Sequence, residues 1–290
     1  MGTNEIVQKL EKLRKQRLLY GKIILACILI NIPLLMFGSG IIFIVGIIVL
    51  IGGVVIFANL SGKVTEEYKK LYKENFVISI LEEKFDDVIY DYKRGLEKNY
   101  VEQFGLTSMG NRFSSEDYIK GSYKGIGFEQ SEVRIEHKGR NDDTASIYFR
   151  GRMIAFDFQF KDVKSVQAFS DNFPHRGTPK INYSMKKVQM ENVDFNKKFD
   201  VLAADEVEAF YVMTPQLMEK VDCLKEKYEN VALNFQGNKL YIGIWSGVDA
   251  FDGDISRPIN YYDEKATIMS DVRVITDIIE VLGMMKEETK

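Results

Sequence analysis

Apolar residues crowd into two uninterrupted runs near the start of the chain; elsewhere they recur at helix or strand spacing among charges. The first run, Ile23–Phe37, reads IILACILINIPLLMF. With Leu18–Lys22 it reaches about 20 residues, enough for a helix rising ~1.5 Å per residue to cross ~30 Å of hydrocarbon. The second, Ile41–Phe57, holds fourteen Ile, Val, Leu or Phe residues and no charge. Each of these favours insertion by roughly 0.3–0.6 kcal/mol. Only Gly38-Ser39-Gly40 separates the runs, which predicts an antiparallel transmembrane hairpin of helices at about 18–37 and 41–59.

Asn31 and Pro33 interrupt the first run, and Pro33 is expected to kink it, freeing backbone groups that need a partner in the neighbouring helix. Gly46 and Gly53 share a face suited to close packing on that helix. An n-region this long, followed by a second apolar run, argues against a cleavable signal peptide.

Past the hairpin the period changes. Leu71, Ile78, Leu81, Phe85, Val88, Tyr92 and Leu96 predict a long amphipathic helix over Val64–Leu96. Strand signals follow Gly105–Gly110. Asp117–Tyr123 and Ile126–His137 form a hairpin around Gly125-Ile126-Gly127, and Thr144–Arg150 and Met153–Phe160 form a second around Gly151. Val163–Phe169 and Ile181–Met190 add strands on either side of a loop marked by Pro174, Gly177 and Pro179. Glu206–Met213 reads as a strand, with Glu206 and Glu208 on one face. Thr214-Pro215 then opens a helix buried through Leu217, Met218, Val221, Leu224 and Tyr228. A hairpin Val231–Phe235/Lys239–Trp245 and a helix over Glu264–Met285 complete an α+β fold on a mainly antiparallel sheet with interspersed helices.

The expected organisation is a basic amphipathic cytoplasmic segment (1–19), the hairpin (20–60), a juxtamembrane helix (61–100) and a cytoplasmic α+β domain (101–290). Ile6, Leu10 and Leu13 give the first segment one apolar stripe. It reads equally as a continuation of the hairpin or as a helix lying on the headgroups.

Charge sets the orientation. Residues 1–60 carry six basic and two acidic side chains, leaving 33 basic against 40 acidic in the remainder. Basic residues flank the outer ends of both apolar runs and none lies in the turn, so positive-inside reasoning puts both termini in the cytoplasm of a cell-membrane protein. The acidic remainder argues against a nucleic-acid partner. Single cysteines, Cys27 and Cys223, give no disulfide framework, and two histidines without partner ligands argue against zinc.

Candidate chemistry is sparse. Asp249, Asp252 and Asp254 share one loop and are the best cation ligands, although their spacing is not that of an EF-hand and acidic turns serve solvation and capping equally. Trp245 beside them makes this the favoured region for any binding surface, although core packing explains that residue better. The glycines at 121, 125 and 127 lie between strands, so they fit a hairpin better than a phosphate loop. Ser131 and Ser246 lack a nucleophile elbow, and His137 and His175 have no assigned serine.

The run Asp194–Val221, with Asp117–Val133 and Tyr148–Phe158, resembles a bacterial membrane family known as domain of unknown function 3137. Phe195, Phe199, Val201, Asp205, Glu208-Ala209, Thr214-Pro215, Phe149 and Gly151 carry the likeness. It extends over most of residues 64–250 and to the paired spans; Leu202 and Phe210 depart from the family pattern. The resemblance implies an architecture and no activity.

The expectation is a non-enzymatic binding or scaffold module at the inner membrane face, with the lipid bilayer and a protein partner or second copy as its contacts and no cofactor. Two alternatives stand: a membrane-tethered metal-dependent enzyme using the acidic loop, and a subunit of a larger membrane complex that contacts other spans through Asn31 and the glycine face.

Overall fold

The structure is a computed structural model that describes residues 2–37, 40–157, 163–177, 184–248 and 250–284. The chain divides into two compact units: Met1–Ile80 with Phe251–Met269, and Leu81–Ala250 with Ser270–Lys290.

The first unit is built on two long helices, α1 (Thr3–Phe37) and α2 (Ile41–Tyr72). Both are long and apolar enough to cross a membrane, and only 6% of each apolar window is buried. A core helix of a soluble protein would be mostly covered. Instead Ile30, Met36, Ile41 and Ile48 point outward, while the inner faces meet at Tyr20 and Phe57 and at Cys27 and Gly53. A Cβ at Gly53 would come within 3.3 Å of the Cys27 sulfur, which explains the glycine. The turn between the helices lies, apart from Gly40, outside the described residues. The stripe Ile6, Leu10 and Leu13 is buried, and residues 4–19 run on into the first apolar stretch as one unbroken helix.

Beyond the apolar run, Val64, Tyr68 and Tyr72 of α2 are buried, and so are Phe76 and Ile80 in the helical turns that continue it. Steps of four advance about 40° around a helix of 3.6 residues per turn, so this row would drift by roughly 160°. A π-helical turn at Lys73–Val77 absorbs the drift, its wider turn bringing residues four apart back into line. The buried row is thus 64/68/72/76/80; Leu71 and Ile78, expected on the inner stripe, are only half-buried. The helix also ends earlier than its periodicity predicts. After α3 (Ile78–Lys84) the chain enters β1 (Asp86–Asp91), and α4 (Lys98–Phe104) is a separate short helix.

The second unit is a nine-stranded sheet in the order β1-β2-β3-β4-β9-β8-β5-β7-β6. Its further strands are β2 (Arg112–Tyr123), β3 (Ile126–His137), β4 (Ser146–Asp157), β5 (Val163–Ser170), β6 (Lys186–Val188), β7 (Phe199–Ala203), β8 (Val231–Gly237) and β9 (Lys239–Trp245). Every described pairing is antiparallel. Lys124 and Gly125, both at positive φ, make the two-residue turn between β2 and β3. Helices α5 (Val193–Lys198), α6 (Glu206–Val212), α7 (Pro215–Tyr228) and α8 (Tyr261–Leu282) intersperse or follow the strands.

Three elements differ from expectation. Gly151 is no turn: β4 runs straight through it, and a Cβ there would lie 2.1 Å from the Ile244 carbonyl oxygen of β9. The glycine lets two central strands approach. Glu206–Val212 is a helix, because Asp205 caps it by accepting a hydrogen bond from the Val207 N–H at 2.9 Å. Within the expected strand 181–190 only Lys186–Val188 pairs, and residues 181–183, like the expected strand end at 158–160 and helix end at Met285, lie outside the described residues.

One sheet face carries Phe149, Met153, Ala155, Phe169, Ala232 and Tyr241 against Val101 and Phe104 of α4. The other presents Ile242, Leu233 and Arg152. Arg152 is buried between Glu132 of β3 at 3.2 Å and Asp271 of α8 at 2.5 Å, which pins that helix.

Candidate functional site

A linked group of polar side chains lies in the helical unit, where the segment Phe251–Glu264 packs on the charged end of α2. Asp252 bridges two lysines one turn apart, Lys73 at 2.8 Å and Lys69 at 3.1 Å. The Lys73 side chain is only 3% exposed. Burial pushes the Asp252 carboxyl up, but hydrogen bonding and charge from Lys73, then Lys69, outweigh it and hold the group below the usual aspartate value. Next to it, the Tyr72 hydroxyl donates to Glu264 at 2.7 Å inside the core, and Arg257 reaches the same carboxylate at 3.4 Å.

Tyr68 completes the group. Its hydroxyl is buried without a hydrogen-bond partner among the described residues. Burial, then the fields of Glu264, Asp254 and Glu11, pushes its phenol up to about 12. On α1, Arg14 grips both oxygens of Glu11 at 2.8 and 2.6 Å. A groove of about 470 Å³ runs between the charged parts of α1 and α2, lined by Lys9, Lys12, Gln16, Lys70 and Glu74.

Asp252 and Asp254 belong to this unit, whereas Trp245 belongs to the sheet unit; Asp249 lies outside the described residues. Trp245 ends β9, its ring edge-on to Phe149 at 5.8 Å. Asp254 accepts hydrogen bonds from the Ser256 N–H and hydroxyl at 2.8 and 2.6 Å, the geometry of a capped turn. Ammonium groups stand at both Asp252 oxygens, where a cation would have to bind. Among the described residues no three His, Cys, Asp or Glu side chains are placed to hold a metal ion.

Asn31 is 2% exposed and turned into the helix pair, donating to the Cys27 carbonyl at 2.8 Å. Gly46 is buried on the facing helix, and Pro33 lies exposed inside α1. Among the described residues neither serine hydroxyl bonds a histidine. Ser131 bonds the Leu96 N–H and the Gln130 carbonyl, and Ser246 donates to the Val248 carbonyl. Instead, His137 and His175 both stack on Tyr148, at 5.5 and 4.2 Å between ring centres.

Tyr68, Tyr72, Lys73 and Glu264 were not singled out from the sequence. The signal for the two tyrosines is the four-residue spacing of Val64, Tyr68, Tyr72, Phe76 and Ile80, hidden behind the alternative stripe through Leu71 and Ile78; no local pattern marks Lys73 or Glu264.

The family model described as "Protein of unknown function (DUF3137)" matches residues 147–284. Residues 147–284 resemble the DUF3137 family. The DUF3137 segment begins in β4 and takes in β5–β9, α5–α7, the Phe251–Glu264 segment and α8, starting and ending later than the motifs alone placed it. No curated protein matches the chain. Among solved structures, the crystal structure of the mycobacterial trehalose monomycolate transport factor A, TtfA, aligns with a TM-score of 0.39 and 10% identity, over 76% of this chain and 98% of that one.

Proposed function

We propose that the chain is a non-enzymatic binding or scaffold module held at the inner face of the cell membrane, with α1 and α2 as a two-span anchor and both termini in the cytoplasm. The observation that carries this reading is the surface of the two helices. Their apolar windows are 6% buried, and the basic residues of both helices cluster at the same ends, next to the carboxylates that neutralise some of them. Positive charge at both outer ends of a hairpin favours their retention in the cytoplasm. The acidic balance of residues 61–290 favours a protein partner or a second copy over nucleic acid.

Crosslinking in native membranes, with a photoreactive residue at exposed Val207, tests the binding role. A discrete, reproducible adduct with one protein or with a second copy is expected. No adduct, together with a melting temperature that rises with Mg²⁺ or Ca²⁺ and loses that rise in Asp252→Ala, would point to a metal-dependent enzyme instead.

A further inference from the structure

Given the scaffold role proposed above, we infer that the outer face of α6 docks a basic amphipathic segment of another protein. At about 100° per residue, the helix Glu206–Val212 carries two apolar stripes. Ala209 and Val212 form the buried one, on the side that packs on β5 and β7. Phe210, Val207 and Tyr211 lie on the opposite side and are 43%, 75% and 62% exposed. Spacings of three and four place them side by side in a stripe ~100° wide, the width that a surface helix turns toward a core. A helix that is apolar on both sides is ordinarily covered on both.

Charge defines what would cover the outer stripe. By helical phase Glu206 falls just outside Phe210 and Glu208 just outside Tyr211, so a carboxylate borders each edge. Neither glutamate forms an ion pair among the described residues, and one Glu208 oxygen is buried there without a hydrogen-bond partner. An apolar centre between two unpaired carboxylates is complementary to aliphatic side chains flanked by Lys or Arg.

Three other occupants fit less well. The same carboxylates would repel the anionic headgroups of an inner leaflet. A seven-residue helix spans only ~10 Å, which falls short of the ~800 Å² that each partner gives up in a stable dimer. The chain's own basic segment, residues 1–19, has its stripe Ile6, Leu10 and Leu13 already buried.

Fluorescence anisotropy on the full chain in phosphatidylcholine nanodiscs tests the docking face. The probes are a labelled leucine–lysine amphipathic helical peptide and its twin with glutamate at every lysine position. The lysine peptide should bind and the glutamate peptide should not. Val207→Asp should weaken lysine-peptide binding by about tenfold or more without moving the melting temperature. Glu206→Lys with Glu208→Lys should reverse the preference, an outcome that misfolding cannot imitate; Asp205, the helix cap, stays in place. Equal binding of the two peptides, binding of neither, or indifference to Val207→Asp would overturn the inference. So would self-association, or binding to phosphatidylserine vesicles, that Val207→Asp abolishes. Photocrosslinking separates this face from the scaffold role: adducts in native membranes from exposed Val193 and none from Val207 would keep that role and overturn the face.

Discussion

The side-chain amide of Asn234, on β8, donates to the main-chain oxygen of Phe104, the last residue of α4, at 2.9 Å. Gln167 of β5 does the same for the Gly105 oxygen at 2.8 Å, and the Asn234 oxygen accepts from Ser165 at 2.8 Å. A seven-residue helix is too short to persist alone. Its free C-terminal carbonyls are here met by sheet side chains, which dock it on the core face.

Asn234→Ala should therefore destabilise the full chain by about 2–3 kcal/mol, because it leaves buried carbonyl and hydroxyl groups unpaired. Ser165→Ala, which removes one partner only, should cost about 1 kcal/mol. Denaturant unfolding in detergent measures both. Equal small effects would mean that α4 is held by its apolar contacts alone.

Gln130 has the opposite sign. It is fully buried in β3 between Ile119 and Ile154, and neither its amide nitrogen nor its oxygen has a hydrogen-bond partner among the described residues. Gln130→Met keeps the volume and removes the desolvated amide, so stability should rise by about 1 kcal/mol. A loss of stability would show that the amide is satisfied in the working protein.

How far such features can be read in advance differs by type. The hairpin expected around Gly125-Ile126-Gly127, which turns at Lys124-Gly125, and the helix start at Thr214-Pro215 are legible because turn and cap chemistry is local: two positive-φ positions in one case, a hydroxyl accepting from the Leu217 N–H in the other. Gly151 misled because a glycine that admits a neighbouring backbone looks the same in sequence as one that turns the chain. Glu206–Val212 misleads because Val207 and Ala209 alternate with acids, a period that hides the cap at Asp205. β1 continues a helical stripe in sequence and becomes a strand only because β2 supplies its ladder. The Lys73–Asp252 pair spans most of the chain, and no spacing rule reaches that far.

Tyr68 makes alkaline pH a probe of the helical unit. Burial and nearby carboxylates raise its phenol to about 12 from the ordinary tyrosine value of 10.0. A group whose folded value is raised contributes stability that is complete below the unfolded value and is lost as pH rises through the folded one. Stability should thus decline between about pH 10 and 12. Tyr68→Phe should flatten that decline and cost little at pH 8, since the hydroxyl has no hydrogen-bond partner among the described residues. Absorbance titration at high pH beside unfolding curves checks both; an unchanged slope in Tyr68→Phe would place the effect on another tyrosine.

The anchor and its orientation are tested most directly through Cys223, which is exposed on α7, in a Cys27→Ser background. A membrane-impermeant maleimide should leave intact cells unlabelled and should label Cys223 once the membrane is permeabilised. Labelling of Cys223 in intact cells would place the sheet unit outside and contradict the account.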